Sequence, residues 1–443
     1  MASRKLVAFA LLFALSCSAQ QTPTGHHDMP GMDMSHTDDH ALMNMHPENF
    51  LQQIVHHGSS GTSAEPNSTP VPMLMTMRSG WMLMFHANAF LVSQQQSGAR
   101  GGDKVFSTNW LMPMAQRQLG PGILTLRTML SFEPATVTGR RYPLLFQQGE
   151  TAYGRPIVDA QHPHDFFMEL AALYDLPIGE KSLLSFYVAP MGDPAMGPTA
   201  YPHRASASEN PVATLGHHQQ DSTHIAADVL TVGFTHRIAR IEASGFHGRE
   251  PDEHRWDLDS GRLDSCSTRF TLQPGKNWSA QYSYARITGP EALFPGEDQA
   301  RMTASIMFNR PLAHGDWAST LLWGRTRSLS DNAKFNSYLF ESTLRFATRN
   351  HVWTRLENAE RSSELLYFNR PLPTGFEEQS IGRVQAYTFG YDRDFDLIPR
   401  LATAIGAQFT SYNTPDLLKP LYGNHPLGGM IFLRIRPFSG TER

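Results

Sequence analysis

The stretch His164–Pro190, HDFFMELAALYDLPIGEKSLLSFYVAP, decides how most of this chain reads. From His164 to Asp175 the side chains alternate. Phe166, Met168, Leu170, Ala172 and Tyr174 fall on one face, and Asp165, Phe167, Glu169, Ala171, Leu173 and Asp175 on the other. A period of two means a strand, and here one face is apolar while the other carries three carboxylates. A turn over Leu176–Lys181, with Pro177 and Gly179, leads to a second apolar row of Leu184, Phe186 and Val188, with Ser185 and Tyr187 opposite. The whole stretch reads as a hairpin of two long strands.

Such hairpins recur down to residue 438. Sixteen strands are predicted, at roughly 81–95, 105–117, 122–133, 164–175, 182–190, 224–236, 239–248, 264–273, 277–287, 300–310, 315–326, 334–347, 351–360, 380–393, 399–411 and 427–438. Their lengths centre near the ~9–11 residues that a tilted strand needs to cross a bilayer. The connections alternate. Short turns such as Arg237–Ile238 and Pro274–Lys276 are followed by long loops such as Pro134–Pro163 and Met191–Thr223. That alternation is the mark of an outer-membrane barrel, with short periplasmic turns and longer outside loops. An even strand count places both termini in the periplasm.

The faces are consistent along the chain. Leu230, Val232 and Phe234 share one parity, as do Tyr338, Phe340, Leu344 and Phe346, while Arg240, Glu242, Glu341, Arg345 and Arg434 take the other. A soluble sandwich also alternates, and only the environment of the charged face separates the two folds. Trp81, Trp278, Trp317 and Trp353 all fall near the beginning of odd-numbered strands, the level of a periplasmic aromatic girdle, although the parity turns Trp353 inward. The expected fold is an all-β, antiparallel transmembrane β-barrel of about sixteen strands over residues 80–443.

The N-terminal residues belong to another class. Arg4 and Lys5, the apolar run Leu6–Leu15 and the small residues Ser16–Ala19 read as a secretory signal peptide spanning 1–19. Ala14-Leu15-Ser16-Cys17 also allows a lipid anchor at Cys17. Cleavage after Ala19 leaves Cys266 as the only cysteine, so no internal disulfide is expected. The net charge of −4 says nothing for nucleic acid, and no later run is long enough for a spanning helix.

Residues 20–79 read as a disordered periplasmic segment and linker, with a short helix over Pro47–His57 and a Gly/Ser/Thr/Pro linker over Gly58–Pro72. Within it, His26–His46 concentrates His26, His27, His36, His40 and His46 with Met29, Met32, Met34, Met43, Met45 and four aspartates. Thioether sulfur suits Cu(I), and imidazole suits Cu(II), Zn or Ni, so the mixture points to a copper ion. The plainer reading is a solvated linker of biased composition. Met82, Met84, His86 and Asn88 are expected to face the lumen, as a ladder of soft contacts or as ordinary packing.

His162-Pro163-His164-Asp165 enters the fourth strand, and His203, His217, His218 and His224 lie in or beside the next long loop. His with carboxylate can bind metal or act as a general base, and buried loop histidines can equally be structural. The two loops, residues 134–163 and 192–223, are expected to fold together with His162 or His164 near His217 or His218. No HExxH helix, phosphate-binding glycine loop or CxxC is present.

The signal peptide, the Met/His/Asp-rich tract His26–His46 and the barrel-like remainder resemble, in layout and composition, the copper-resistance outer-membrane proteins of Gram-negative bacteria. The segments Asp159–Leu173 and His217–His224 resemble those of uncharacterised bacterial exported proteins. The first resemblance implies a barrel that binds or passes copper, with outer-membrane lipid around it and a periplasmic metal carrier or efflux component as partner. The expectation is metal binding, tolerance or export, or solute passage. Two alternatives stand beside it: an exported hydrolase using His162, His164 and Asp165, and a structural porin with an incidental tract.

Overall fold

The structure, a computed structural model, describes residues 47–437 apart from 57, 222–225 and 369. The signal peptide, the tract 26–46 and His224 lie outside the described residues.

Among the described residues, sixteen long strands form one closed antiparallel barrel. In chain order they are β1 Trp81–Gln96, β2 Lys104–Leu119, β3 Gly122–Leu130, β4 Phe167–Ile178, β5 Ser182–Gly192, β6 Ala226–His236, β7 Ala239–His247 and β8 Ser265–Gly275. They continue as β9 Trp278–Ile287, β10 Gln299–Leu312, β11 Gly315–Ser328, β12 Lys334–Phe346, β13 Asn350–Ser362, β14 Ser380–Ile398, β15 Leu401–Asn413 and β16 Leu427–Pro437. Each pairs with its neighbour, and β1 closes on β16 in the register Leu91↔Leu433 and Gln95↔Gly429. A short extra strand, Leu74–Arg78, continues the line of β16 along the first half of β1, pairing Met75↔Met84 and Met77↔Met82. All sixteen expected strands are found, with ends moved by a few residues. Closure, not a pair of stacked sheets, sets aside the sandwich.

The barrel is inside-out relative to a soluble protein. Ile405, Ile431 and Phe389 are more than half exposed on the outer face, while Arg127, Arg240, Glu242, Glu341 and Arg434 are buried on the inner one. Trp278 packs against Phe308, and Phe308 against Trp317, on the outside at the turn end. Trp353 is buried inward, as its parity requires.

One expectation about the founding hairpin needs correction. Met168, placed on the outward row with Leu170 and Tyr174, is buried inside. The cause is a register shift between β3 and β4, where Leu130 faces Phe167 but Met129 already faces Glu169. A bulge of this kind sends one residue to the other face.

The chain ahead of the barrel also differs from the linker expected there. The short helix α1, Phe50–His56, forms as expected. Residues 58–71 then run inside the barrel. Arg127 of β3 donates to the Ser59 and Gly61 carbonyls at 2.6 and 2.5 Å. Arg269 of β8 donates to Thr62 Oγ1 at 2.8 Å, and Ser279 of β9 to the Ala64 carbonyl at 2.9 Å. Glycine, serine and threonine here are small residues fitted between walls: a Cβ on Gly61 (φ 61°) would lie 2.4 Å from Asp193 Cβ.

Candidate metal site at the junction of two lumen loops

Residues 193–221 are anchored to the inner wall by buried ion pairs. Arg204 pairs with Glu341 of β12 at 2.5 Å and with Asp221 at 3.2 Å. The Leu215 N–H donates to Glu357 of β13 at 2.5 Å, and Arg361 donates to the Leu215 carbonyl at 2.7 Å. Glu341, on the charged face as its parity requires, holds this loop.

Loop 131–166 enters from the other side. Gln148 donates to Ser362 Oγ at 2.8 Å, Phe146 stacks on Tyr422, and the Tyr422 hydroxyl donates to Asp159 at 3.0 Å. A small hairpin, Glu150–Ala152 with Arg155–Ile157, presents Glu150 to the interior.

The two loops meet through their histidines, as their length and composition led us to expect. The rings of His162 and His218 lie 6.0 Å apart, and those of His162 and His164 6.4 Å. His162 Nε2 is 2.7 Å from Glu150 Oε1, and His218 Nδ1 is 3.4 Å from the same oxygen. One ligand atom from each of Glu150, His162 and His218 fits within 4.8 Å of the others.

The geometry fixes the chemistry of His162. Its Nδ1 lies 2.8 Å from the Pro163 carbonyl, which can only accept, so Nδ1 carries the proton and Nε2 presents a lone pair towards Glu150. Burial lowers the His162 and His218 pKa values well below the ordinary imidazole range, with Arg255 adding to this for His162 and His217 for His218. Burial also pushes Glu150 up to about 7, against the pull of Arg255. His162 Nε2 and Glu150 Oε1 lie close without a hydrogen bond between them. A divalent cation here would meet two imidazoles and a carboxylate, a donor set that suits Zn(II) or Cu(II). The Pro163 carbonyl is then the outer partner that orients the ligand ring.

The other expected ligands do something else. His164 binds Glu133 through both its N–H and Nδ1, at 2.8 and 3.1 Å. Asp165 pairs with Arg255 at 2.9 Å, and His217 with Asp221 at 2.6 Å. The hydrolase alternative thereby loses its acid–base set, because His164 and Asp165 face separate ionic partners. Glu150 was missed in the sequence, where nothing marks it beyond its place in the same long loop. A second buried trio, Glu209, His351 and Asp392, is balanced by Arg434, which pairs with both carboxylates, and by Arg436 on Glu209. Its charges are met within the protein, and it reads as an ion-pair network.

No family model and no curated protein matches this chain. Solved structures do. An anion-selective porin from Comamonas acidovorans superimposes with a TM-score of 0.50 at 11% identity, covering 80% of this chain and 99% of the porin. OmpF of Salmonella typhi, solved with daunomycin, covers 82% of this chain and 100% of its own at 10% identity, with a TM-score of 0.49. At 11% identity the likeness to the Comamonas porin is one of fold alone, that of a closed antiparallel β-barrel.

Proposed function

We propose that this chain is an outer-membrane barrel that passes or sequesters a metal ion, with copper as the cargo and residues 26–46 as its periplasmic collector. The observation that carries the reading is the Glu150–His162–His218 junction, built where two lumen-filling loops meet inside a barrel with an apolar exterior. The methionines and histidines of the tract add soft and borderline donors on the same chain. Two buried imidazoles beside a carboxylate supply the donor types that a divalent metal takes. The expected partners are bilayer lipid and a periplasmic metal carrier.

The test combines location and tolerance. The protein should fractionate with outer membranes and migrate faster unheated than heated. A strain lacking it should show altered copper tolerance, restored by the wild-type chain but not by the double variant His162→Ala, His218→Ala. Recovery as a soluble monomer, or full restoration by the double variant, would overturn the proposal.

A further inference from the structure

The inner wall of β1–β5 departs from the rest of the lumen. Elsewhere the lumen face mixes Arg, Glu, Thr, Ser and Gln with aliphatic and aromatic side chains such as Leu322, Leu339, Trp353 and Phe432. Here it carries an apolar cluster in which eight of the ten buried side chains are methionine. The three other large buried clusters contain none, one and one. Packing alone does not choose methionine: leucine fills such space with better-defined rotamers.

The register arranges the sulfurs in rungs. Met75 pairs with Met84, and Met84 with Met114, across three adjacent strands. One rung further along β1, His86 pairs with Met112. Inward-facing partners in such a ladder have Cβ atoms about 4.5–5.5 Å apart, so the side chains within a rung touch. The loop segment 193–221 lowers His203 onto the far end of the ladder, with its Nε2 3.2 Å from Met129 Sδ and its ring 5.7 Å from that of His86. Two ligands held by one soft ion at ~2.0–2.3 Å lie roughly 3–4 Å apart, which the His203–Met129 pair already satisfies. His86 is 7% exposed, and its Nδ1 has no hydrogen-bond partner. A buried imidazole nitrogen without a partner is costly and calls for an explanation. A cavity of about 850 Å³ at the turn end is lined by Met73, Met75, His86, Trp110 and His203, so an ion has access.

We infer that Met129 and His203, with His86 and Met112 beside them, form a binding site for a soft monovalent cation, Cu(I) in the cell, at the inner end of a methionine path that starts at Leu74–Arg78. Neutral thioethers and imidazoles suit a singly charged soft ion and discriminate against hard divalent ones. The inference rests on the reading of copper as cargo and names the oxidation state and the residues that receive it.

The experiment uses the full chain in detergent with Ag(I) as the probe. The tract is silenced first, by changing its five methionines to Leu and its five histidines to Gln. This chain should still retain Ag(I), and X-ray absorption of the Cu(I)-loaded form should show sulfur together with nitrogen scatterers. Adding Met129→Leu and His203→Gln should weaken Ag(I) binding by about tenfold or more. Met430→Leu, a methionine outside this cluster, should leave it unchanged. Heat-modifiable migration checks that each variant folds. No retention by the silenced chain, or equal retention after Met129→Leu and His203→Gln, overturns the site. Altered tolerance in the strain lacking the protein, combined with no retention, would refute the site and leave the copper reading standing. Retention without any tolerance effect would do the reverse.

Discussion

Glu65 shows how a single side chain can tie the lumen to pH. It lies in the segment threaded through the barrel, is buried, and accepts from the Ala205 N–H at 3.4 Å. Burial pushes its carboxyl up from 4.5 to about 7, although Arg204 and the Ala205 N–H pull the other way. Between those two values the unfolded chain has released a proton that the folded one keeps. Stability from this residue is therefore whole at low pH and falls as pH rises from about 4.5 to about 7, by on the order of 3 kcal/mol. Amide exchange in residues 59–68, corrected for its intrinsic rate, should show less protection at pH 7 than at pH 5. Glu65→Gln should remove that difference. An unchanged pH slope in the variant would show that another group controls the segment. At this scale the sequence was only partly legible. His162 and His218 stood out because two long loops carried closely spaced histidines. Glu150 did not, since a carboxylate in a loop has no periodic pattern to betray it. Gly58–Pro72 misled because Gly, Ser and Thr signal solvated linkers, yet the same small residues fit between packed walls.

At the scale of the strand, alternation was enough to find the sixteen long strands, though not the short strand Leu74–Arg78, because a lipid-facing row and a lumen-facing row impose opposite chemistry on successive residues. What alternation could not give was the bulge at Leu130 and Phe167, where the period slips and Met168 moves inside. Nor could it show that the buried charges are paired with loops, as Glu341 is with Arg204. β14 tests the assignment. Phe389 sits at the middle of Ser380–Ile398 and is 58% exposed, while Thr388 beside it is buried and shares a hydrogen bond with Thr410. Phe389→Arg should impair assembly by roughly 2–4 kcal/mol, the cost of a midplane arginine on the lipid face. Thr388→Ser should assemble normally. Measuring the fraction folded in bilayers against urea gives both values, and a tolerant Phe389→Arg would place that face in water.

For the whole molecule, the arrangement of wall, loops and N-terminal segment describes a barrel closed by its own chain. Residues 131–166 and 193–221 fill the lumen from the loop end, and residues 58–71 cross it further toward the turn end, gripped by Arg127, Arg269 and Ser279. Those grips are hydrogen bonds to a segment joined to the barrel only through Leu74–Arg78, so the segment can leave without breaking the barrel's own ladder. Gly61 is the place to force this. Any side chain there meets Asp193, and the backbone is left-handed at φ 61°, so Gly61→Val strains the seated segment. The variant should remain heat-modifiable, because the strand pairings are intact. In planar bilayers its single-channel conductance should exceed that of the wild-type chain several-fold, as water replaces about a dozen residues of peptide in the lumen. A low conductance equal to wild type, in a correctly folded variant, would mean that the loops alone close the barrel. In that case the N-terminal segment serves to carry ligands to the wall, and opening has to begin at the Glu150–His162–His218 junction.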